Sequence, residues 1–308
     1  MQIASTRQND TSDKNVMVWT SILKSVVHSH PWVSLVATRI IYFHTSLFQP
    51  VDLKAKAQDD ITSPCFVKEI KGSLYEIARN ICYLFSASSE IILKEEFVAL
   101  AAKILSWVIQ AMYYHPKICF KDGDGGDIFN MDEQTDYTIS TASENKMKNR
   151  SIRWVLVRLS SIATKENSRR EAVFKCFAAF AVGCNDIISP YLEIMLEPVN
   201  RCISDDEHKQ KQQNNLTLTK TSCDKAVELA KDSLQLLEEK CDTQYFLKSF
   251  AVVKSNAEEK RLLRKQNLAA KAITDSKSYA EEKIKKQTSE KKRKKRRLDE
   301  KKQKKTLL

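Results

Sequence analysis

The chain has 308 residues, of which 42% are hydrophobic and only 5 are glycine and 6 proline, and its formal charge is +12. So few turn residues exclude an all-β domain of this length and point to helices joined by short connections. The charge is concentrated at one end: 21 Lys/Arg stand against 8 Asp/Glu from Lys254 onward, whereas the first 253 residues carry 30 against 31. A neutral body with a cationic extension calls for a polyanionic partner, either nucleic acid or an acidic membrane surface.

Residues 1–15 are polar and hold no apolar run of the kind that directs secretion, so a disordered N-terminus is expected. From Val16 helical periodicity recurs, and 16–253 reads as a helical-repeat domain. The expected helices, taken as antiparallel pairs, are Val16–Ser29 with Pro31–Phe48, Phe66–Phe85 with Ile91–His115, Ser151–Lys165 with Arg170–Val182, and Ile187–Ile203 with Cys223–Lys240. Spacing also predicts their buried stripes. Trp32, Val36, Ile40, Phe43 and Leu47 step by 4, 4, 3, 4, and Phe66, Ile70, Leu74, Ile77, Ile81 and Leu84 by 4, 4, 3, 4, 3. Leu93, Phe97, Leu100, Ile104 and Trp107 follow, then Ile152, Val155, Leu159 and Ile162. Val173, Phe177 and Phe180 come next, then Ile188, Leu192, Met195 and Val199, and last Val227, Ala230, Leu234 and Leu237.

Pro31 suits a first helical turn, Pro50 and Pro64 bracket a loop, and Pro116 stops a helix. Ser168 and Glu171 have capping-box spacing, Pro190 opens the next helix, and Pro198 is expected to bend or end it. The polar stretches 117–148 and 204–221 read as flexible surface loops. Phe97–Tyr114 is apolar enough to raise the question of a membrane span. Lys103 near its centre costs about 2.5–3.5 kcal/mol in a bilayer, so a buried repeat helix is expected. A helix pair every ~40–50 residues is the period of HEAT and armadillo arrays. The expected fold is therefore all-α, a HEAT/armadillo-like α-solenoid of antiparallel pairs with an extended basic C-terminal helix. The pattern leaves a compact helical bundle open.

No residue pattern for catalysis is found. The cysteines (Cys65, Cys82, Cys119, Cys176, Cys184, Cys202, Cys223 and Cys241) contain no CxxC pair and mostly fall on apolar faces, as reduced structural thiols do. The acidic run Asp122–Asp127 with Glu133 approaches a calcium loop, but Gly126 stands where a ligand is needed and Asp127 where the tight turn needs glycine. His28 and His30 have no Cys or acid to complete a zinc set. P-loop, GxSxG, HExxH and dinucleotide fingerprints are absent. The chain reads as a non-enzyme with no cofactor, metal or small-molecule substrate.

The arm, 254–308, carries the sharpest signal. The residues expected to contact nucleic acid are Lys260, Arg261, Arg264, Lys265, Lys283, Lys285, Lys286, Lys291, Lys292, Arg293, Lys294, Lys295, Arg296, Arg297, Lys301 and Lys302. Cations at this density neutralise phosphates and release counterions, giving salt-dependent, sequence-tolerant binding. Tyr279 is the arm's only aromatic residue, so contact with the backbone of folded nucleic acid fits better than base stacking. There is no Trp/Phe/Leu-rich face for a membrane surface. Ser278 and Glu281 are expected to cap the last helix. The competing reading is a nuclear protein-binding adaptor whose run Lys291–Arg297 serves only as an import signal.

Several segments, in order, resemble the C-terminal region of the small-subunit processome component 20 family. In the tail they are Phe250-Ala251-Val252-Val253, Glu259-Lys260-Arg261, Arg264-Lys265, Ala280-Glu281-Glu282-Lys283-Ile284-Lys285-Lys286 and Glu290-Lys291-Lys292-Arg293-Lys294. In the body they are His30-Pro31-Trp32-Val33, Arg153-Trp154-Val155, Leu159-Ser160-Ser161-Ile162-Ala163, Phe174-Lys175-Cys176-Phe177-Ala178-Ala179 and Ser189-Pro190-Tyr191-Leu192 with Glu197-Pro198. The likeness runs from about Val16 to Glu300, to the C-terminal portion of a family whose chain is many times longer. It implies a nucleolar HEAT-repeat scaffold in pre-rRNA processing and small-subunit biogenesis. The implied partners are pre-ribosomal RNA, other processome proteins and a nuclear import receptor.

Overall fold

A computed structural model describes residues 3–58, 66–86, 95–116, 141–213 and 223–306. Among them every element is helical and no strand occurs. The helices are α1 (Ile3–Val26), α2 (Pro31–Ser46), α3 (Leu53–Gln58), α4 (Val67–Gly72), α5 (Leu74–Leu84), α6 (Glu95–Tyr114), α7 (Thr141–Lys165), α8 (Arg170–Gly183), α9 (Asn185–Ile188), α10 (Leu192–Gln213), α11 (Cys223–Lys240), α12 (Thr243–Thr274) and α13 (Ser276–Thr306). The chain divides into two compact units, Met1–Val253 and Lys254–Leu308.

In the first unit the longer helices pack in two rows. One row runs α1, α5, α7, α10 and the other α2, α6, α8, α11, each helix touching the next. Cross-contacts of α1 with α2, α5 with α6, α7 with α8 and α10 with α11 join the rows. Ionic contacts tie the second row together at the N-terminus of α6. Arg39 of α2 pairs with Glu96, and Lys175 Nζ of α8 lies 2.7 Å from Glu95 Oε1. The core is continuous, and Phe174, Phe177 and Phe180 on α8 are fully buried within it. By length and composition α6 could cross a membrane, but most of it is buried here against other helices.

Most stripes read from spacing face the core, but that of α2 does not. Trp32 and Phe43 are 57% and 58% exposed, and Val36 and Leu47 are exposed too. The buried face of α2 instead holds Ser34, Leu35, Ala37, Thr38, Ile41 and Thr45. Its hydroxyls are satisfied by backbone: Ser34 Oγ donates to Val26 O at 2.6 Å, Thr38 Oγ1 to Ser34 O at 2.8 Å and Thr45 Oγ1 to Ile41 O at 3.0 Å. Bonded in this way, small polar residues bury at little cost and let α2 approach α1 closely.

Other boundaries also depart from expectation. The expected helix Phe66–Phe85 is broken between α4 and α5 at Ser73, whose hydroxyl donates to Glu69 O and accepts from Trp19 Nε1 at 2.8 Å. Residues 3–15, expected to be disordered, belong to α1. Of the two expected loops, 141–148 lies in α7 and 204–213 in α10, while 117–140 and 214–221 fall outside the described residues. These helical stretches are polar but contain neither glycine nor proline, and Glu, Lys and Gln are good helix formers. Pro198 does not end α10, which continues past it to Gln213. Ser168 sits in a short 3₁₀ turn, Asn167–Arg169, and α8 starts without a side-chain cap.

Candidate nucleic-acid interface

The cations of the arm lie on α13 and on the part of α12 beyond Val253. Asp275 stands between the two helices, its N–H donating to Lys271 O at 3.0 Å and its carbonyl accepting from Tyr279 N at 3.1 Å. Its Oδ1 accepts the backbone N–H of Ser278 at 3.0 Å, so Asp275 caps α13 in place of the expected Ser278–Glu281 box.

The two helices present charge differently. A helix turns roughly 100° per residue, so positions 4 and 7 apart share a stripe. On α12 Lys260, Arg264 and Lys271 fall on one stripe, and Arg261 and Lys265 on the adjoining one. Leu262, Ala269 and Ile273 lie on the opposite side, with Leu262 and Ile273 exposed. Lys260, Arg261, Arg264 and Lys265 are exposed as well. On α13 the cations circle the whole helix, which at 1.5 Å per residue is about 45 Å long. Lys283, Lys285, Lys291, Lys292, Lys295 and Arg296 are exposed. Lys286, Arg293, Lys294, Arg297, Lys301 and Lys302 lie in the same helix, with side chains outside the described residues.

The structure thus gathers Lys260, Arg261, Arg264 and Lys265 on neighbouring stripes and strings the remaining candidates along one rod. It adds Lys271, half-buried on the Lys260–Arg264 stripe, and exposed Lys277 at the start of α13. The four- and seven-residue spacing from Lys260 signals Lys271 in the sequence. By sequence position, no single face of α13 is reserved for cations.

The first unit offers little competing chemistry. Among the described residues no three His, Cys, Asp or Glu side chains gather as a ligand set. The described cysteines Cys82, Cys176, Cys184, Cys202 and Cys241 are unbridged and buried. Burial pushes the Cys82 and Cys184 thiols up to about 12, far from the thiolate a nucleophile needs. An open groove of about 570 Å³ between α6, α8 and α11 is mostly apolar, with Trp107, Val182 and Leu236 in its walls. Lys103 is its one ionisable lining residue, so no acid–base pair converges there. The acidic run 122–133 lies outside the described residues.

No solved structure matches the chain. A family model, described as small subunit processome component 20 homolog, C-terminal, matches residues 129–300. That span takes in α7 to α12 and most of α13, the paired helices and the basic rod alike. The chain belongs to the family of the C-terminal region of small subunit processome component 20 homologs.

Proposed function

We propose that the chain is a non-catalytic scaffold of the small-subunit processome, acting in pre-rRNA processing and small-subunit biogenesis, whose basic arm contacts pre-ribosomal RNA. The family it belongs to is named for a component of that assembly. On this reading the first unit is an α-solenoid of antiparallel helix pairs, HEAT- or armadillo-like, that holds other processome proteins. The neighbour-to-neighbour packing of its two rows supports that arrangement. Its place of action is the nucleolus, reached through an import receptor that binds the same cations.

One observation carries the RNA assignment: exposed cations crowd a unit of their own, beside a body that is close to neutral. A polycationic rod without aromatic platforms binds phosphate backbone in a salt-dependent way. The test is crosslinking of the chain to RNA in cells, with and without residues 283–305. Loss of the RNA adduct on deletion is the expected result, and undiminished crosslinking would remove the arm from the account. A chain that needs the arm to enter the nucleus, yet shows no salt-dependent RNA affinity in vitro, would instead be an adaptor with an import signal.

A further inference from the structure

We propose that Ser289 is a phosphorylation site that loosens the arm's grip on RNA, its phosphate drawing in cations of its own helix. This rests on the arm being an RNA-binding element.

The helix α13 holds serines in opposite electrostatic surroundings. Side chains three and four positions apart are neighbours on a helix. For Ser289 those positions are Lys285, Lys286, Lys292 and Arg293. For Ser278 they are Thr274, Asp275, Glu281 and Glu282. A phosphoserine brings a charge of about −1.5 to −2 and three strong acceptor oxygens. At 289 it meets opposite charge on both sides, whereas at 278 it meets carboxylates. At Thr288 one of the four neighbouring positions is Ile284, so a phosphate there has fewer cations beside it than one at Ser289.

The residue is also placed for modification. Ser289 is exposed, and no described side chain of α13 is buried. Opening a turn or two around it therefore costs only local helix bonds and no core contact. Lys283, Lys285 and Lys286 precede it, a pattern that an acidic kinase cleft reads by charge complementarity. In the transfer the Ser289 oxygen attacks the γ-phosphorus of magnesium ATP and the bond to the β–γ bridging oxygen breaks. ADP leaves, and the hydroxyl proton passes to the kinase's carboxylate. Each cation then paired with the helix's own phosphate is withdrawn from RNA.

The full chain is first treated with a basic-directed Ser/Thr kinase and magnesium ATP, and the modified residues are mapped. Phosphate at Ser289 and none at Ser278 is expected; an unmodified Ser289 overturns the assignment. Chains with phosphoserine installed at 289 or at 278 are then titrated with duplex RNA across a salt series. Each phosphate contact contributes about 0.9 to the logarithmic salt slope on a duplex. Phosphoserine at 289 should flatten the slope by about 2 and weaken binding roughly tenfold at moderate salt, while the same group at 278 should change the slope by less than about 1. Equal effects at both positions would mean that net charge alone matters, and capture by neighbouring cations would be wrong. Circular dichroism of the same chains without RNA separates the two claims. Helicity should rise with phosphate at 289 relative to the unmodified chain, as intrahelical pairing with Lys285 and Lys292 requires. If the unmodified chain binds RNA without salt dependence, the RNA reading fails, while the helicity comparison still decides the intrahelical capture.

Discussion

Arg170 opens α8 with its side chain almost wholly out of water, yet it has two partners. Its Nε donates to Ala163 O at 3.0 Å, one of the carbonyls left over at the C-terminal end of α7, and its guanidinium lies 3.7 Å from Asp205 Oδ2 on α10. One residue thereby fastens three helices. Replacing it with alanine strands a buried carbonyl and leaves a void, so Arg170→Ala should cost about 2–3 kcal/mol in urea unfolding. Asp205 is 44% exposed and contributes a longer, solvent-screened contact, so Asp205→Ala should cost under about 1 kcal/mol. The reverse order would show that the ion pair, and not the helix-end bond, dominates. The buried thiols set a second expectation at this scale. In the unfolded chain a cysteine ionises near pH 8.5, whereas burial holds Cys82 and Cys184 at about 12 and Cys176 higher still. Above pH 9 the unfolded state sheds protons that the native state keeps, so stability is intact at neutral pH and falls as alkalinity rises. Each such thiol contributes up to about 1.4 kcal/mol per pH unit between those limits. Urea unfolding at pH 7.5 and pH 10 measures the fall, and Cys82→Ala should make it shallower.

At the scale of the helix, the exposed stripe of α2 marks the limit of what spacing reveals. Periodicity says that Trp32, Val36, Phe43 and Leu47 share a side, but not which side meets the body. The true contact face is hidden in the sequence because Ser34, Thr38 and Thr45 read as polar, and only the structure shows their hydroxyls bonded to backbone. The assignment is checked by a paired substitution. Val36→Thr should shift stability by less than about 0.5 kcal/mol, whereas Ile41→Ala, on the buried face of the same helix and 1% exposed, should cost about 2–5 kcal/mol. Equal costs would return the stripe to the core. For α8 the sequence suffices, because Phe177 and Phe180 have no apolar rivals of similar size on the far face. The polar extensions of α1, α7 and α10 escape a reading based on apolar residues, since charged and amide side chains sustain a helix without burying it. The break at Ser73 escapes too. It depends on an indole 54 positions away, and no local pattern records such a contact.

Across the whole molecule the partition of charge was legible by counting alone, because charge adds along a chain whatever its fold. The order of the two helical rows was legible only as a period, since helix contacts 50 or more residues apart leave no consensus in one sequence. The partition leads to a prediction about truncation. A chain ending at Asn256 keeps Val253, the last buried residue among those described, and adds one lysine, Lys254, to a body of 30 cations and 31 anions. Every described side chain beyond it is exposed or half-buried, so its removal takes away no buried side chain among those described. The truncated chain should therefore unfold within about 1 kcal/mol of the full one, as surface changes generally do. Its behaviour on an immobilised polyanion should differ sharply. The full chain should be retained until salt competes for its phosphate contacts, and the near-neutral body should pass at the lowest salt. Retention of the truncated chain would place a polyanion site on the helical body. A truncated chain that failed to fold would show that the arm supports the body as well as gripping RNA.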